Sequence, residues 1–289
     1  MASWYNELAL MHDLSSSTSI VFLKLGGSLI TDKAVAETAR TDVLARVAGE
    51  IAAALAERPT LRLLLGHGSG SFGHIAAERY GVHRGRLRDW RGYAETAAAA
   101  SRLDRLVVDA LLQAGVPAVA LQPSASARTM RGEIVELAAW PIPELWLRGL
   151  VPVVYGDVAL DAVQGCAIIS TERIFAYLTP LLKPALILLA GEVDGVYTAD
   201  PQRDPGARQV ARLTASAWQA EGGAAPPLLG ASRGVDVTGG MRSKVRDMLD
   251  LVQRHRALRV RIFSGLEPGR VAAALLGEPV GTLLAADRH

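Results

Sequence analysis

Residues 20–28 read IVFLKLGGS, and residues 63–74 read LLLGHGSGSFGH. In each stretch an apolar run typical of a buried strand leads directly into a glycine-rich turn. Because glycine has no Cβ atom, the backbone of such a turn can approach an oxyanion and present several N–H groups to it. One strand followed by a glycine turn is common. Two of them, one carrying Lys24 and the other ending in His74, indicate a site that binds a chain of phosphates.

Alternating apolar runs and helical patterns predict an α/β fold with a mostly parallel sheet. The predicted strands are residues 20–25, 61–65, 116–121, 151–155, 185–190, 259–264 and 282–284, with a hairpin over 127–135. The predicted helices lie between them: one capped by Thr41 or Asp42, one beginning at about Ile75, and others over 94–114, 141–149, 172–182, 244–255 and 269–276. Ligands of such sheets bind beyond the carboxyl ends of the strands, where both glycine turns and Gly156-Asp157 fall.

The composition argues against several classes of protein. The chain has 289 residues, half of them hydrophobic, and a formal net charge of +2. We predict no nucleic-acid partner, because the small basic group of Arg84, Arg86, Arg88 and Arg91 fits a solvated helix edge, or a rim that attracts an anionic substrate, better than a basic stripe. We predict no membrane partner either, because no apolar run approaches the roughly 20 residues that span a bilayer. Residues 1–19 are interpreted as a flexible extension without signal-peptide features, and the single cysteine, Cys166, favours a cytoplasmic location.

Two further segments carry candidate site residues. Residues 239–244 read GGMRSK, a third glycine turn that opens a helix. A lysine at that helix start, Lys244, opposes the helix dipole, so an anion is expected beside it, although an exposed helix lysine fits the same pattern. Residues 193–201 read VDGVYTADP. Val196 and Tyr197 are predicted to line a base pocket and Asp200 to accept from a ribose hydroxyl, the alternative being a plain hairpin.

Taken together, these segments resemble the amino acid kinase superfamily, and most closely its isopentenyl phosphate kinases. The resemblance covers residues 20–284. Its motifs appear in family order: KLGGS at 24–28, DK at 32–33, GSGSFGH at 68–74, QPS at 122–124, GD at 156–157, DGV at 194–196 and DVTGGM at 236–241. The FGH ending of the second turn and the DVTGGM run point to the isopentenyl phosphate branch.

The resemblance implies an open αβα sandwich that uses ATP and Mg²⁺. Residues 20–165 would bind a small-molecule phosphate acceptor and residues 166–289 would bind ATP. No protein side chain is expected to ligate the metal. Family members are commonly homodimers, so a homodimer is expected here.

The resemblance also assigns roles to individual residues. The catalytic set would be Lys24, Lys33, His74 and Lys244, with Lys24 and Lys244 holding the transferring phosphoryl group. ATP would contact Lys24, Gly26, Gly27, Lys33, Asp194, Gly195, Tyr197, Asp200, Gly239 and Lys244. The acceptor would contact Gly68, Ser69, Gly70, Gly73, His74, Gly156 and Asp157. The amides of Gly26, Gly27, Gly68 and Gly70 would stabilise phosphate charge.

The chain departs from the family pattern at residues 171–173. The family usually has Gly-Asp-Asp where this chain has Thr171-Glu172-Arg173. Glu172 is expected to replace an aspartate that orients the phosphate lysines, with a longer arm, whereas Arg173 reverses a charge. Ser69 also stands where glycine is common, and its backbone N–H would still serve.

Three functions remain open from the sequence. The first is a kinase that converts isopentenyl phosphate to isopentenyl diphosphate. The second is a kinase of the same fold with another acceptor, such as fosfomycin, a nucleoside monophosphate, carbamate or an amino acid. The third is a non-catalytic protein that binds a nucleotide or another anion.

Overall fold

The computed structural model describes residues 19–82, 89–199, 204, 206–220 and 240–287. The strands are β1 Ile20–Leu25, β2 Arg62–His67, β3 Ala118–Ala120, β4 Arg128–Met130, β5 Glu133–Glu136, β6 Val151–Tyr155, β7 Asp157–Asp161, β8 Gly165–Ile169, β9 Leu186–Gly191, β10 Arg212–Leu213, β11 Arg259–Ser264 and β12 Thr282–Leu284. The helices are α1 Gly27–Ile30, α2 Thr41–Glu57, α3 Gly70–Arg79, α4 Arg91–Gln113, α5 Pro141–Leu147, α6 Thr171–Leu182, α7 Ala215–Ala220, α8 Gly240–Arg254 and α9 Arg270–Leu276.

A central sheet of eight strands organises the fold, in the order β10-β12-β11-β9-β1-β2-β6-β3. Neighbouring strands run parallel except β12, which runs antiparallel to β11. The prediction of a mostly parallel α/β sheet is therefore confirmed. Strand β1 lies inside the sheet between β2 and β9, so Lys24 near its carboxyl end occupies a central position.

Helices cover both faces of the sheet because successive strand residues point to opposite sides. Leu23 and Leu65 face one apolar cluster, which includes Ile51 from α2. Phe22 and Leu64 face the other cluster, where Phe22 packs against Phe175 of α6 with ring centroids 5.0 Å apart. Each such side chain contributes about 1.5–3 kcal/mol when it leaves water, so both layers stabilise β1 and β2.

A second, four-stranded sheet in the order β5-β4-β7-β8 corrects the sequence interpretation. The predicted hairpin around residues 131–132 is confirmed as β4 and β5, whereas the β7–β8 hairpin was not predicted. Asp161 joins the two hairpins: its carboxylate accepts hydrogen bonds from the backbone N–H groups of Arg131, Gly132, Val163 and Gln164. One buried carboxylate thus holds the two hairpins together, and no local sequence pattern predicts this contact.

Two predicted helix starts are also corrected. Helix α3 begins at Gly70, five residues before the predicted start at Ile75. Helix α2 has Arg40 at its N-cap without a capping side chain, so neither Thr41 nor Asp42 caps it. Among the described helices none is both long enough and apolar enough to cross a membrane.

Candidate active site

The two glycine turns touch each other through their backbones. Strands β1 and β2 are parallel neighbours, so the turns that follow them emerge at the same edge of the sheet. A Cβ atom on Gly27 would lie 2.6 Å from the amide nitrogen of Gly70, and one on Gly68 would lie 2.8 Å from the amide nitrogen of Gly27. Neither gap admits a carbon atom, so glycine at 27 and 68 is required by this contact.

Four backbone N–H groups at this contact are open. The amides of Gly27, Ser28, Ser69 and Gly70 donate to no acceptor among the described residues. The amides of Gly26 and Gly68 are engaged, since they donate to Ala190 O at 2.7 Å and Leu25 O at 3.0 Å. The prediction that the amides of Gly26 and Gly68 donate to phosphate is therefore wrong. The amides of Ser28 and Ser69 are open donors that were not predicted. Grouped open N–H donors form an anion-binding concavity.

One carboxylate holds two lysines beside these turns. Lys24 Nζ donates to Glu172 Oε1, and Lys244 Nζ lies 3.5 Å from the same oxygen. The Lys24 and Glu172 side chains are 10% and 13% exposed, and that of Lys244 is 31% exposed. Glu172 lies in the first turn of α6, where the helix dipole favours a negative charge. The anion expected beside Lys244 is thus Glu172.

The two lysines keep Glu172 ionised. Burial alone raises the pKa of its carboxyl group, but attraction to Lys24 and Lys244 and the hydrogen bond from Lys24 lower the pKa to about 2. The stabilisation that this gives is present above about pH 4.5, the ordinary pKa, and is lost as the pH falls towards 2. At neutral pH three fixed charges, two positive and one negative, therefore occupy this point of the site.

The start of α6 is fixed to the end of β2. The Ser170 side chain accepts from the amide of Arg173 at 3.2 Å as the N-cap. The Thr171 hydroxyl donates to the carbonyl oxygen of His67 at 2.6 Å. Gly66 leaves room for Thr171, since a Cβ atom there would lie 2.5 Å from Thr171 Cγ2. Glu172 is thereby held opposite the second glycine turn.

Arg173 directs its charge away from the lysines. Its Nη1 donates to the carbonyl oxygen of Gly132 at 2.8 Å, and its Nη2 lies 3.9 Å from a carboxylate oxygen of Glu133. Both partners belong to the β4–β5 hairpin. The guanidinium group of Arg173 therefore attaches that hairpin to α6.

Asp157, which is predicted to contact the acceptor, binds backbone amides of neighbouring residues through its carboxylate. Its carboxylate accepts from the amides of Ser124 at 2.9 Å and Val158 at 2.8 Å, so it shapes the loop 122–124. Gly156 lies beside the second turn: a Cβ atom on it would be 3.6 Å from the amide nitrogen of Ser69. His74 is half-buried in the second turn of α3, one residue after the buried Gly73.

Burial of Asp157 predicts a pH-dependent stability. Burial raises the pKa of its carboxyl group to about 6, although the hydrogen bonds from Ser124 and Val158 lower it in part. The folded state then holds the proton more tightly than the unfolded chain, whose pKa is near 3.8, so stability falls as the pH rises from about 4 to 7. The loss is on the order of 3 kcal/mol.

Urea unfolding of the wild type and of Asp157→Asn across this pH range measures the effect. The difference between the two free energies of unfolding should change in favour of the variant as the pH rises. Two curves that stay parallel from pH 4 to 7 contradict the assignment.

Three of the residues predicted to bind ATP, Asp194, Gly195 and Tyr197, lie in the connection after β9. The Tyr197 hydroxyl donates to Asp194 Oδ1 at 2.5 Å, and Gly195 has a φ of +153°. Val196 is buried in the apolar cluster around Phe22, which corrects the prediction that it lines a base pocket. Lys33 lies half-buried in the turn after α1. Asp200 and Gly239 lie outside the described residues.

Sequence reasoning missed two polar residues behind the site. The Thr31 hydroxyl accepts from the amide of Ser71 at 3.1 Å and donates to the carbonyl oxygen of Gly27 at 2.7 Å, so it joins the two turns. Asp104 of α4 lies 3.2 Å from Nε2 of His67. The sequence did offer one indication of this contact: Asp104 is a carboxylate on the same helix face as the apolar residues Leu103 and Val107.

The fold is thus a mostly parallel sheet between helices, and its site combines two opposed glycine turns with a carboxylate that holds two lysines. The chain belongs to the amino acid kinase family, whose model matches residues 19–264. It is 37% identical over 270 residues to the isopentenyl phosphate kinase of Methanothermobacter thermautotrophicus, covering 90% of this chain and 97% of that one.

Solved structures agree with this placement. An X-ray structure of isopentenyl phosphate kinase superposes with a TM-score of 0.73 at 33% identity, covering 91% of this chain and 99% of that chain. The product complex of the Thermoplasma acidophilum isopentenyl phosphate kinase superposes with a TM-score of 0.70 at 27% identity, covering 92% of this chain and all of that one.

Proposed function

We propose that this protein transfers the γ-phosphoryl group of ATP to isopentenyl phosphate, giving isopentenyl diphosphate and ADP. The acceptor's phosphate oxygen attacks the γ-phosphorus, and the bond from that phosphorus to the β,γ-bridging oxygen of ATP breaks. The supporting similarity extends over nine-tenths of the chain and nearly all of the archaeal isopentenyl phosphate kinase.

The observation that carries this proposal is the contact of Lys24 and Lys244 with one oxygen of Glu172. Phosphoryl transfer requires little covalent chemistry from the protein and much positioning and charge stabilisation. Donor and acceptor are both anions here, so their mutual repulsion has to be neutralised. Two ammonium groups beside a single carboxylate bring a net positive charge to this point of the site.

The acceptor side suits a phosphate monoester. The open amides of Gly27, Ser28, Ser69 and Gly70 offer donors, and His74 of α3 would add another. A phosphate monoester carries an oxygen that is already nucleophilic, so no general base is needed to remove a proton. We propose that the amides of Ser69 and Gly70 contact the acceptor phosphate and those of Gly27 and Ser28 the phosphates of ATP.

Mg²⁺ fits this site as a companion of ATP. The described residues contain no group of three metal-ligating side chains. Mg²⁺ is commonly held by substrate phosphates and water with few protein ligands, which suits such a site. When bound, the ion supplies further positive charge along the phosphate chain, while Lys24 and Lys244 hold the transferring group.

Phosphorus NMR of a mixture of the enzyme, Mg-ATP and isopentenyl phosphate tests the proposed reaction. The monophosphate signal should be replaced by the paired signals of a diphosphate ester as ADP accumulates in equal amount. Consumption of ATP that leaves the isopentenyl phosphate signal unchanged contradicts the proposal. Omission of Mg²⁺ should stop the reaction and leave the melting temperature of the free enzyme unaltered.

We also propose that the protein acts as a homodimer in the cytoplasm. The family resemblance supports the dimer, and the single cysteine suits a reducing compartment. Light scattering during size-exclusion chromatography distinguishes a chain of 30.6 kDa from a particle of twice that mass.

A further inference from the structure

A fully buried histidine lies directly behind the second glycine turn. His67 ends β2, and its ring stacks on Tyr155 with centroids 5.4 Å apart and planes inclined by 15°. Its Nδ1 lies 3.1 Å from the carbonyl oxygen of Gly68. Its Nε2 lies 3.2 Å from Oδ1 of Asp104, which is also buried. The proposed reaction does not use either side chain.

The two contacts fix how many protons this pair holds. A carbonyl oxygen only accepts, so Nδ1 of His67 must donate to Gly68. Nε2 and the Asp104 carboxyl group then share one further proton. Either a doubly protonated ring faces a carboxylate, or a neutral ring accepts from a protonated carboxyl group. Both arrangements contain two protons, have no net charge and keep Nδ1 protonated.

The bond to Gly68 orients the next N–H group. The carbonyl of Gly68 and the amide of Ser69 belong to the same peptide unit, and the described residues contain no cis peptide bond. In a trans peptide the C=O and N–H bonds point in opposite directions. The carbonyl points back to His67, so the Ser69 N–H points away from it, on the side of Gly156. That N–H is one of the four open donors.

We propose that His67 and Asp104 are positioning residues that hold the Ser69 amide towards the acceptor phosphate. The identity of that phosphate rests on the proposed function, whereas the orientation of the peptide does not. Glycine at 68 allows a wide range of backbone angles, so loss of the Nδ1 donor would remove the hydrogen bond that holds this peptide unit in its present orientation. Rotation would turn the Ser69 amide out of the site and expose an acceptor carbonyl to the phosphate.

The ring protons are measured directly by NMR of the whole protein labelled with ¹⁵N-histidine. His67→Leu identifies the signal by its loss. At pH 7 we expect a proton on Nδ1 of His67. A ring protonated on Nε2 alone overturns the proposal, because the Gly68 carbonyl would then have no donor. This measurement does not depend on which acceptor the enzyme uses.

Steady-state kinetics distinguish a positioning role of His67 and Asp104 from a role in protein stability alone. His67→Leu should raise the KM for isopentenyl phosphate by about tenfold or more and change the KM for ATP by less than about threefold. Asp104→Asn keeps an N–H that can donate to Nε2 and should retain the wild-type KM. Asp104→Leu has no such donor, so both ring nitrogens compete for one proton and the KM should rise.

Val153→Ala is the matched control, because it removes two buried methyl groups from the neighbouring strand β6, and a valine side chain makes no hydrogen bond to the turn. It should lower the melting temperature and leave both KM values unchanged. Equal KM changes in Val153→Ala and His67→Leu, or equal damage by Asp104→Asn and Asp104→Leu, overturn the proposal. If the wild type does not phosphorylate isopentenyl phosphate, the proposed function fails while the ring-proton measurement still decides the positioning claim.

Discussion

Replacement of Lys24 by methionine should lower kcat by about a thousandfold. Removal of one preorganised donor from a developing negative charge costs about 10²–10³ in kcat, and Lys24 is the more buried of the two lysines on Glu172. Methionine keeps an unbranched apolar chain of similar length, so β1 should stay packed. The KM for ATP should change far less than kcat, because Lys244 and the open amides still hold the nucleotide.

Lys183→Met provides the control for this variant. Lys183 is an exposed lysine at the opposite end of α6 from Glu172. Its loss should leave kcat at the wild-type value. If Lys24→Met keeps more than about a tenth of the wild-type kcat, Lys24 takes no part in the reaction and has only a structural role.

Replacement of Glu172 by glutamine should lower kcat by about a hundredfold and change how ATP stabilises the protein. Without the carboxylate two positive charges face each other, and breaking such an ion pair costs about 3 kcal/mol. The melting temperature of the free protein should therefore fall by roughly 5–10 °C. ATP phosphates would then neutralise both lysines, so saturating ATP should raise the melting temperature more in the variant than in the wild type.

Glu172→Asp is the matched comparison, because it keeps the charge and shortens the arm by one methylene group. It should retain most of the stability of the free protein and show an intermediate kcat. If Glu172→Gln keeps the wild-type kcat and gains no extra stabilisation from ATP, Glu172 does not orient the lysines.

The sequence predicts the central sheet well because its strands carry continuous apolar runs. Strands β1, β6, β11 and β12 have the predicted bounds, and the ends of β2, β3 and β9 differ from the prediction by at most two residues. The start of α3 was missed for a tertiary reason. Gly70 and Gly73 are poor helix formers, so local propensity places the start after them. Gly70 is instead required by space, since a Cβ atom there would lie 2.2 Å from the Thr31 hydroxyl.

The site is predictable where a motif is local and not where it depends on distant segments. Lys24 and Lys244 each stand beside a glycine turn, so both could be named from the sequence. Their meeting on one oxygen of Glu172 depends on three elements that only the fold brings together. The same holds for Asp157. Its carboxylate accepts a hydrogen bond from the amide of Ser124, which lies in the loop between β3 and β4. Sequence pattern gives no sign of that pairing.

The proposed acceptor, isopentenyl phosphate, can be tested against other acceptors in parallel. ADP release from Mg-ATP should be measured with isopentenyl phosphate, dimethylallyl phosphate, fosfomycin and uridine monophosphate, with Lys24→Met as the blank. We predict that kcat/KM for the two prenyl phosphates exceeds that for the other acceptors by about a hundredfold or more. Faster turnover of fosfomycin or uridine monophosphate, or no turnover of any acceptor by a protein that still binds ATP, would contradict it.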